Sequence, residues 1–379
     1  MKEKNTEIYP TPTLAGDRPV ADFAPPLVAW YRAVARQLPW RADSDPYHIW
    51  LSEVMLQQTR VEAVRPYYAR FLAAAPTIAA LAALDDDRLM KLWEGLGYYS
   101  RARNLRRAAA VIVRDYGGKM PADYAALRAL PGIGDYTAGA VASLAFGYPT
   151  PAVDGNVLRV LSRLTADPSD VLLPDTKKRM TATLAGVYAA LCPGDASPAC
   201  AALTQALMEL GQTLCLPGRP PLCDACPLRA LCRASAEGAP ERYPTRHKNK
   251  EKKICRKLVL ILHDGEGRFA LRRRPEAGLL SGLWELPVLD APDDPNGDAA
   301  AAAAFCRENG LALAEWAEAP CARHLFTHLV WEMRGLYGNV QPDGTLPGAA
   351  LTFATADEIG TRYALPSALR AYVRLITNR

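Results

Sequence analysis

Apolar and polar positions follow a helical pattern over the first part of the chain. From Phe23 to about Ala234, apolar residues recur at helical spacing, and Pro and Gly separate the successive segments. This spacing predicts a set of packed helices, and no segment here shows the alternation typical of a strand. One such helical repeat consists of Leu27, Trp30, Tyr31 and Val34.

After residue 257 the pattern changes to short apolar runs separated by turn residues. Strands and helices are both expected in this part, so it is predicted to be an α+β domain. The expected order is a strand at 257–262, a hairpin turn at 263–267, a returning strand at 268–272, a helix at 298–308, strand-like segments between 324 and 337 and a terminal helix after Pro366.

The chain of 379 residues is long enough for two domains that each have their own core. We expect a disordered tail at residues 1–22, a helical domain at 23–235, a linker at 236–256 and the α+β domain at 257–379. The linker holds a basic stretch at 246–253, which either contacts phosphate or is a solvated loop.

Composition narrows the class of protein only a little. The formal charge of +5 and the pI near 8.7 suit a nucleic-acid partner weakly, since many basic proteins bind none. The polar N-terminus is not a signal peptide, and no apolar run approaches the ~18–20 residues of a membrane span. We therefore expect an intracellular (cytoplasmic, or nucleoid-associated if bacterial) monomer without a membrane partner. Its nine cysteines should then be thiols or metal ligands.

A tight turn between two helices is predicted at residues 130–134, Leu-Pro-Gly-Ile-Gly. Its glycines permit positive φ and leave bare backbone N–H groups at the start of the next helix, where a phosphate oxygen can bind. About twenty residues later, Asp154 stands at the opening of another helix. This combination favours an enzyme that holds DNA. The alternative is an ordinary helical corner with a capping aspartate.

Two carboxyl groups lie in contrasting surroundings. Glu53 has apolar neighbours, which can raise a carboxyl pKa, whereas Asp154 is flanked by Gly and Asn at a helix start that favours the ionised form. Two carboxyls with separated pKa values are typical of enzymes that break glycosidic bonds. The sequence does not show that the two meet, and Glu53 could equally be a surface glutamate.

Four cysteines within eighteen residues predict a metal site. Cys215, Cys223, Cys226 and Cys232 are separated by seven, two and five residues, and this spacing leaves zinc and an iron–sulfur cluster open. The other cysteines are read as structural thiols: Cys192, Cys200, Cys255, Cys306 and Cys321.

Together these motifs resemble the endonuclease III superfamily of DNA glycosylases, and within it the MutY-type adenine DNA glycosylases. The resemblance implies an all-helical helix–hairpin–helix glycosylase domain with a 4Fe–4S cluster loop at 215–232. Its first cysteine interval is one residue longer than the six usual in the family. The motifs that carry it are LPWR (38–41), SEVMLQQTRV (52–61), GLGYYSRARNL (95–105), LPGIG (130–134) and VDGNV (153–157).

The resemblance also implies roles for residues. Glu53 would be the general acid that protonates adenine N7, Asp154 would stabilise the cationic sugar, and Tyr136 and Asn156 would assist them. Bifunctional relatives carry a lysine where this chain has Tyr136, so a monofunctional enzyme is expected.

The DNA contacts implied by the resemblance fall into three groups. The adenine pocket would contain Arg36, Trp40, Arg41, Leu56 and Glu209. Gln58 and Tyr98 would enter the base stack beside Thr59, and the hairpin glycines Gly132 and Gly134 would hold phosphate. Further phosphate contacts are expected from Arg101, Arg103, Arg106 and Arg107.

Residues 272–287 resemble the Nudix-like domain at the C-terminus of these glycosylases. Nudix hydrolysis needs several carboxylates on one helix to bind Mg²⁺, but residues 299–308 contain six alanines and one acid, Glu308. Nudix hydrolysis is therefore excluded, and the function that remains for this domain is to recognise a base. Phe326, Thr327 and His328 match the loop that contacts 8-oxoguanine opposite the adenine.

The expected partner is double-stranded DNA with adenine opposite 8-oxoguanine or guanine. Two alternatives stay open. One is a related mismatch glycosylase that acts on another base, such as thymine opposite guanine. The other is a lesion-binding protein that does not cleave.

Overall fold

The structure is a computed structural model that describes residues 12–246, 251–342 and 351–377. Residues 1–11 of the predicted tail and 247–250 of the predicted linker lie outside the described residues. The chain divides into two compact units. One contains residues 12–82 and 107–246, and the other contains residues 83–106, 251–342 and 351–377.

The first unit is helical, as predicted, and within residues 12–246 the extended pairings are single bridges. Several helices begin with the combination of a polar cap and a proline. The Asp45 side chain accepts a hydrogen bond from the Tyr47 N–H at the start of α2 (Pro46–Leu56), and the Ser197 side chain accepts one from the Ala199 N–H at the start of α11 (Pro198–Thr213). The helices up to residue 246 are α1 (Ala24–Val34), α2 (Pro46–Leu56), α3 (Val61–Ala74), α4 (Ile78–Ala83), α5 (Asp86–Trp93), α6 (Ser100–Tyr116), α7 (Tyr124–Ala129), α8 (Asp135–Phe146), α9 (Gly155–Thr165), α10 (Pro174–Leu191), α11 (Pro198–Thr213) and α12 (Arg233–Ala236).

A large core of the first unit lies between α1, α9, α10 and α11, whose apolar faces are fully buried. Leu14 and Val20 pack into the same core, and Thr13 pairs with Pro19. The prediction of a disordered tail is therefore wrong for residues 12–22, because two apolar side chains in this polar stretch supply enough burial to fix it.

The second unit is an α+β fold built on one sheet. Its strands occur in the order β3 (Trp284–Glu285), β2 (Arg268–Arg273), β1 (Lys253–His263), β6 (Leu329–Pro342) and β5 (Leu311–Leu325). β4 (Val288–Asp290) pairs with β1, and β7 (Thr352–Thr355) pairs with β2. β1 and β6 run parallel, and β5 and β6 form a long antiparallel hairpin. The elements after residue 250 are β1 (Lys253–His263), β2 (Arg268–Arg273), β3 (Trp284–Glu285), β4 (Val288–Asp290), α13 (Asp298–Glu308), β5 (Leu311–Leu325), β6 (Leu329–Pro342), β7 (Thr352–Thr355), α14 (Ala356–Thr361) and α15 (Arg370–Thr377).

Alternation along β1 separates the two faces of this sheet. Leu258, Leu260 and Leu262 pack with α13 on one face. Val259 and Ile261 pack with α14 and α15 on the other. The sheet is thus covered on both sides by helices. No helix among the described residues is long and apolar enough to cross a membrane.

The boundaries differ from the predicted ones in two places. Residues 83–106 belong to the second unit, although their sequence predicts helices of the first. The expected linker is partly folded, because Tyr243 is buried, Thr245 pairs with Asp170, and β1 begins at Lys253. The linker is therefore shorter than the predicted range of 236–256.

Two of the cysteines read as structural thiols are joined in the structure. Cys192 ends α10 and Cys200 lies in the first turn of α11, and they form a disulfide across Cα atoms 6.3 Å apart. The thiol prediction is wrong for this pair, while Cys255, Cys306 and Cys321 are free.

Candidate active site

Glu53 lies in the most deeply buried stretch of α2 and is only 5% exposed. The Tyr136 hydroxyl, from the first turn of α8, donates a hydrogen bond of 2.6 Å to its Oε2. Burial raises the pKa of Glu53 to about 7, the Tyr136 hydrogen bond opposes this rise, and the charge of Asp154 adds to it. Glu53 therefore keeps a proton near neutral pH and is not a surface glutamate.

Asp154 caps the N-terminus of α9. Its Oδ1 accepts hydrogen bonds from the backbone N–H groups of Asn156 (2.9 Å) and Val157 (2.8 Å), and its Oδ2 accepts one from the Asn156 side-chain amide (2.7 Å). Three donors fix the orientation of this carboxylate. Asn156 is thus placed by the structure as the residue that orients Asp154.

Arg159 continues this network and was missed by the sequence reasoning. It donates hydrogen bonds to the Asn156 side-chain oxygen (2.9 Å) and to the backbone carbonyls of Gly211 (2.7 Å) and Cys215 (2.8 Å). The signal available in the sequence was an arginine five residues after Asp154, and its burial becomes visible only in the structure. The arginine connects the Asp154 turn to the end of α11 and to the first cysteine.

Two glycines allow the elements around the carboxylates to approach each other. A Cβ on Gly139 of α8 would lie 2.4 Å from the carbonyl oxygen of Pro151, and a Cβ on Gly211 would lie 2.9 Å from the Asn156 Cβ. Both positions therefore exclude a side chain. Gly139 therefore lets the segment before Asp154 pack directly against α8, the helix that carries Tyr136.

The two carboxyls share one electrostatic environment. Burial first, and then the charges of Glu53 and Asp154, hold the pKa of Tyr136 well above its usual range. Because Asp154 also acts on Glu53, the structure brings together the pair that the sequence could only suggest.

A further buried carboxylate, Glu209 of α11, is linked to Glu53 through Arg41, which pairs with Glu209 and whose charge also acts on Glu53. Arg41 donates a 2.9 Å hydrogen bond to its Oε2, and Arg36 donates to both of its oxygens and to Gln212. Burial opposes ionisation of Glu209, but the two arginines outweigh it and hold its pKa below the usual value. Trp40 is buried nearby and packs edge-on against Tyr68.

The turn after α2 presents polar side chains. Leu56 is half-buried, Gln58 is exposed with φ of +57°, and the Thr59 hydroxyl donates to the Gln57 carbonyl. A non-glycine residue in the left-handed region carries backbone strain, which is common where a side chain must be presented.

The hairpin at 130–134 has the predicted form. Gly132 adopts φ of +75°, and Gly134 is exposed and precedes α8, whose first N–H groups have no side-chain cap. These backbone N–H groups can therefore donate hydrogen bonds to an anion. Asp135 in the same turn is paired with Arg128.

The four cysteines line one small cavity of the first unit, beside Leu164, Leu228 and Arg163. The Arg163 guanidinium lies 3.2 Å from the Cys215 sulfur. Among the described residues, no group of three or more His, Cys, Asp or Glu side chains is arranged to hold a single metal ion. These four free thiols are the residues of the cavity that could hold a metal group.

In the second unit, the loop between β5 and β6 lines a cleft of about 940 Å³. Phe326 packs edge-on between His324 and Trp331, and Thr327 and His328 also line the cleft. The Tyr98 hydroxyl lies 2.7 Å from the Thr327 hydroxyl, and Tyr98 is 47% exposed with φ of +48°.

The helix α13 spans Asp298–Glu308, as predicted, and so begins with an acid that residues 299–308 do not include. Asp298 is engaged by Arg334 through two hydrogen bonds of 2.7 Å. Its carboxylate is therefore committed to an arginine, and α13 does not present the set of acids that a Nudix hydrolase requires.

Among the arginines expected to contact phosphate, Arg101, Arg103 and Arg106 have partners within the second unit. Arg101 is buried and donates to the Leu96 and Gly97 carbonyls, Arg103 binds Ser281, and Arg106 pairs with Asp86. The phosphate prediction is wrong for Arg101, whose guanidinium holds a turn.

Known proteins are similar to the chain along most of its length. A family model described as HhH-GPD superfamily base excision DNA repair protein matches residues 51–188, and a NUDIX domain model matches residues 258–375. An adenine DNA glycosylase of Buchnera aphidicola subsp. Acyrthosiphon pisum is 34% identical over 70% of this chain and 73% of its own length. The adenine DNA glycosylase of Homo sapiens is 36% identical over 71% of this chain and 57% of its own length.

The chain spans 46–65% of the length of four animal and plant relatives. Among solved structures, a thermostable thymine-DNA glycosylase is similar with a TM-score of 0.50 and 27% identity. The likeness covers 57% of this chain and 96% of that one.

Proposed function

Because this chain belongs to the adenine DNA glycosylase family, we propose that it removes adenine from DNA by hydrolysing the N-glycosidic bond. The observation that carries the proposal is the pairing of a buried Glu53, whose pKa burial raises to about 7, with a fixed Asp154 around Tyr136. This reaction needs one carboxyl group that donates a proton and another that stabilises positive charge. Glu53 and Asp154 would supply these two functions.

In the proposed reaction, the Glu53 carboxyl donates its proton to N7 of a flipped-out adenine. The C1′–N9 bond then breaks and its electron pair leaves with the base. The resulting oxocarbenium ion faces the Asp154 carboxylate. A water molecule adds to C1′, and its proton passes to the Glu53 carboxylate, which restores the acid.

Some of the neighbouring residues would bind the adenine base, and others orient the two acids. Glu209 is ionised and fixed by Arg36 and Arg41, so its oxygens can accept a hydrogen bond from the adenine amino group. Trp40 and Leu56 would supply the apolar walls. Tyr136 provides no amine for a Schiff base, so the product would be an intact abasic strand.

The second unit would read the base opposite adenine. N7 of guanine is an acceptor, whereas N7 of 8-oxoguanine carries a hydrogen that the Thr327 hydroxyl can accept. Phe326 and His328 flank Thr327 in the cleft, and Tyr98 and Gln58 would occupy the space in the base stack. The proposed substrate is therefore adenine opposite 8-oxoguanine, or opposite guanine.

Cys215, Cys223, Cys226 and Cys232 would hold a 4Fe–4S cluster. When bound, the cluster would cross-link the loop that Arg159 and Arg163 join to α9. Arg159 keeps the Asp154 turn in place through its hydrogen bond to the Asn156 side chain, and this bond needs no cluster.

The test is single-turnover base release from duplexes with A opposite 8-oxoguanine, A opposite G, A opposite T, and T opposite G. Release of adenine from the first two only is expected. The similarity to a thymine-DNA glycosylase favours thymine as the second candidate, and release from T opposite G would select it. Tight binding of the 8-oxoguanine duplex without any release would make the protein a lesion sensor.

A further inference from the structure

One face of α5 is fastened to the sheet domain within the second unit. Asp87, Lys91 and Glu94 follow one another at i, i+4 and i+7, which places them on the same side of the helix. Asp87 accepts a 3.1 Å hydrogen bond from the Trp284 indole N–H. In sequence these charges are typical of a solvated helix face.

Lys91 makes the central contact of this face. Its ammonium donates to the backbone carbonyls of Tyr363 (2.9 Å) and Ile359 (3.3 Å), at the C-terminal end of α14, and lies 2.7 Å from the Glu94 carboxylate. An ammonium has three N–H donors, so each finds an acceptor. A cation at a helix C-terminus is also favoured by the helix dipole.

Glu94 contacts the sheet domain as well and lies immediately before the next turn. Its Oε1 accepts a 2.8 Å hydrogen bond from the Leu365 backbone N–H, while its other oxygen faces Lys91. Glu94 is the last residue before the Gly95–Leu96–Gly97 turn, which positions Tyr98. Arg101 holds that turn from the other side through the Leu96 and Gly97 carbonyls.

We propose that the Lys91–Glu94 pair is a positioning device that sets the Tyr98 hydroxyl against Thr327. The pair fixes the turn that ends at Tyr98 to the same sheet domain whose loop carries Thr327. The Tyr98–Thr327 contact of 2.7 Å is then maintained by the Lys91–Glu94 pair, and reading of the opposite base depends on it. The inference rests on the proposed function, in which Thr327 reads 8-oxoguanine.

The test is the ratio of Kd values for full-length protein on two duplexes. Both carry 2′-fluoro-deoxyadenosine, which resists N-glycosidic cleavage, opposite either 8-oxoguanine or guanine. Because the ratio is taken within one preparation, partial unfolding of a variant cancels. Glu94→Gln should lower the preference for 8-oxoguanine by about tenfold, or about 1.4 kcal/mol. Lys91→Met should do the same, and Lys91→Arg should restore most of the preference.

A double-mutant cycle separates positioning from general damage. If the pair acts through Thr327, Glu94→Gln should change the ratio little once Thr327→Val is present. The control is Asp115→Asn, which breaks an exposed ion pair with Arg114 and should keep the wild-type ratio.

Three results would overturn the inference. A wild-type ratio in Glu94→Gln, or effects of Glu94→Gln and Thr327→Val that multiply, would contradict it while leaving the proposed function intact. A wild-type protein with no preference for 8-oxoguanine would overturn the inference together with the reading of 8-oxoguanine by Thr327, and would leave adenine removal as proposed.

Discussion

The buried acid should reduce the stability of the folded protein at neutral and alkaline pH. Burial raises the pKa of Glu53 from its usual 4.5 to about 7, so between these values the folded state binds a proton that the unfolded state has lost. The stability that this proton contributes is fully present below about pH 4.5. It is lost as pH rises through about 7. Since one pKa unit corresponds to ~1.36 kcal/mol, the whole loss is about 3 kcal/mol.

The perturbation is Glu53→Gln, which cannot ionise but can still accept the Tyr136 hydrogen bond. We expect the variant to be more stable than wild type by about 2–3 kcal/mol at pH 8, and by less than about 1 kcal/mol at pH 5. The measurement is urea unfolding of both proteins at the two pH values. Glu241→Gln, at an exposed glutamate, is the matched control and should follow wild type.

A parallel pH dependence in wild type and Glu53→Gln would refute this reasoning. It would mean that Glu53 ionises in the folded state as readily as in the unfolded chain, so burial does not hold its proton. The acid role would then lack its physical basis.

Three further outcomes are expected in single-turnover adenine release. Tyr136→Phe removes a hydrogen bond that lowers the pKa of Glu53, so the alkaline limb of the pH–rate profile should move to higher pH. Gly139→Ala would place a Cβ 2.4 Å from a backbone carbonyl oxygen and should lower the rate roughly 10- to 100-fold, whereas Gly186→Ala, with open space around it, should not. Arg159→Met removes three hydrogen bonds behind the Asp154 turn and should lower the rate roughly tenfold with little change in DNA affinity.

The chemistry of the site could be predicted from sequence because it depends on local surroundings. The apolar neighbours of Glu53 and the helix start at Asp154 are both visible along the chain, and the structure confirms the contrast. Their meeting could not be derived, because it depends on the absence of a side chain at Gly139 and Gly211. Such close approaches involve residues far apart in sequence.

The fold classes were predictable from hydrophobic spacing, but the boundary at residues 83–106 was not. Periodicity correctly places helices there, yet it cannot tell which core a helix joins. That is decided by Lys91 and Glu94, whose partners lie more than 260 residues later. The disulfide between Cys192 and Cys200 similarly depends on how two helix ends meet.

The most direct test of the central claim is single-turnover release of free adenine from a duplex with A opposite 8-oxoguanine, for wild type and Glu53→Gln. Both the free base and the integrity of the DNA strand are measured. We expect adenine and an intact abasic strand from wild type, and neither product from the variant. Release by Glu53→Gln at the wild-type rate would contradict the assignment of Glu53 as the acid.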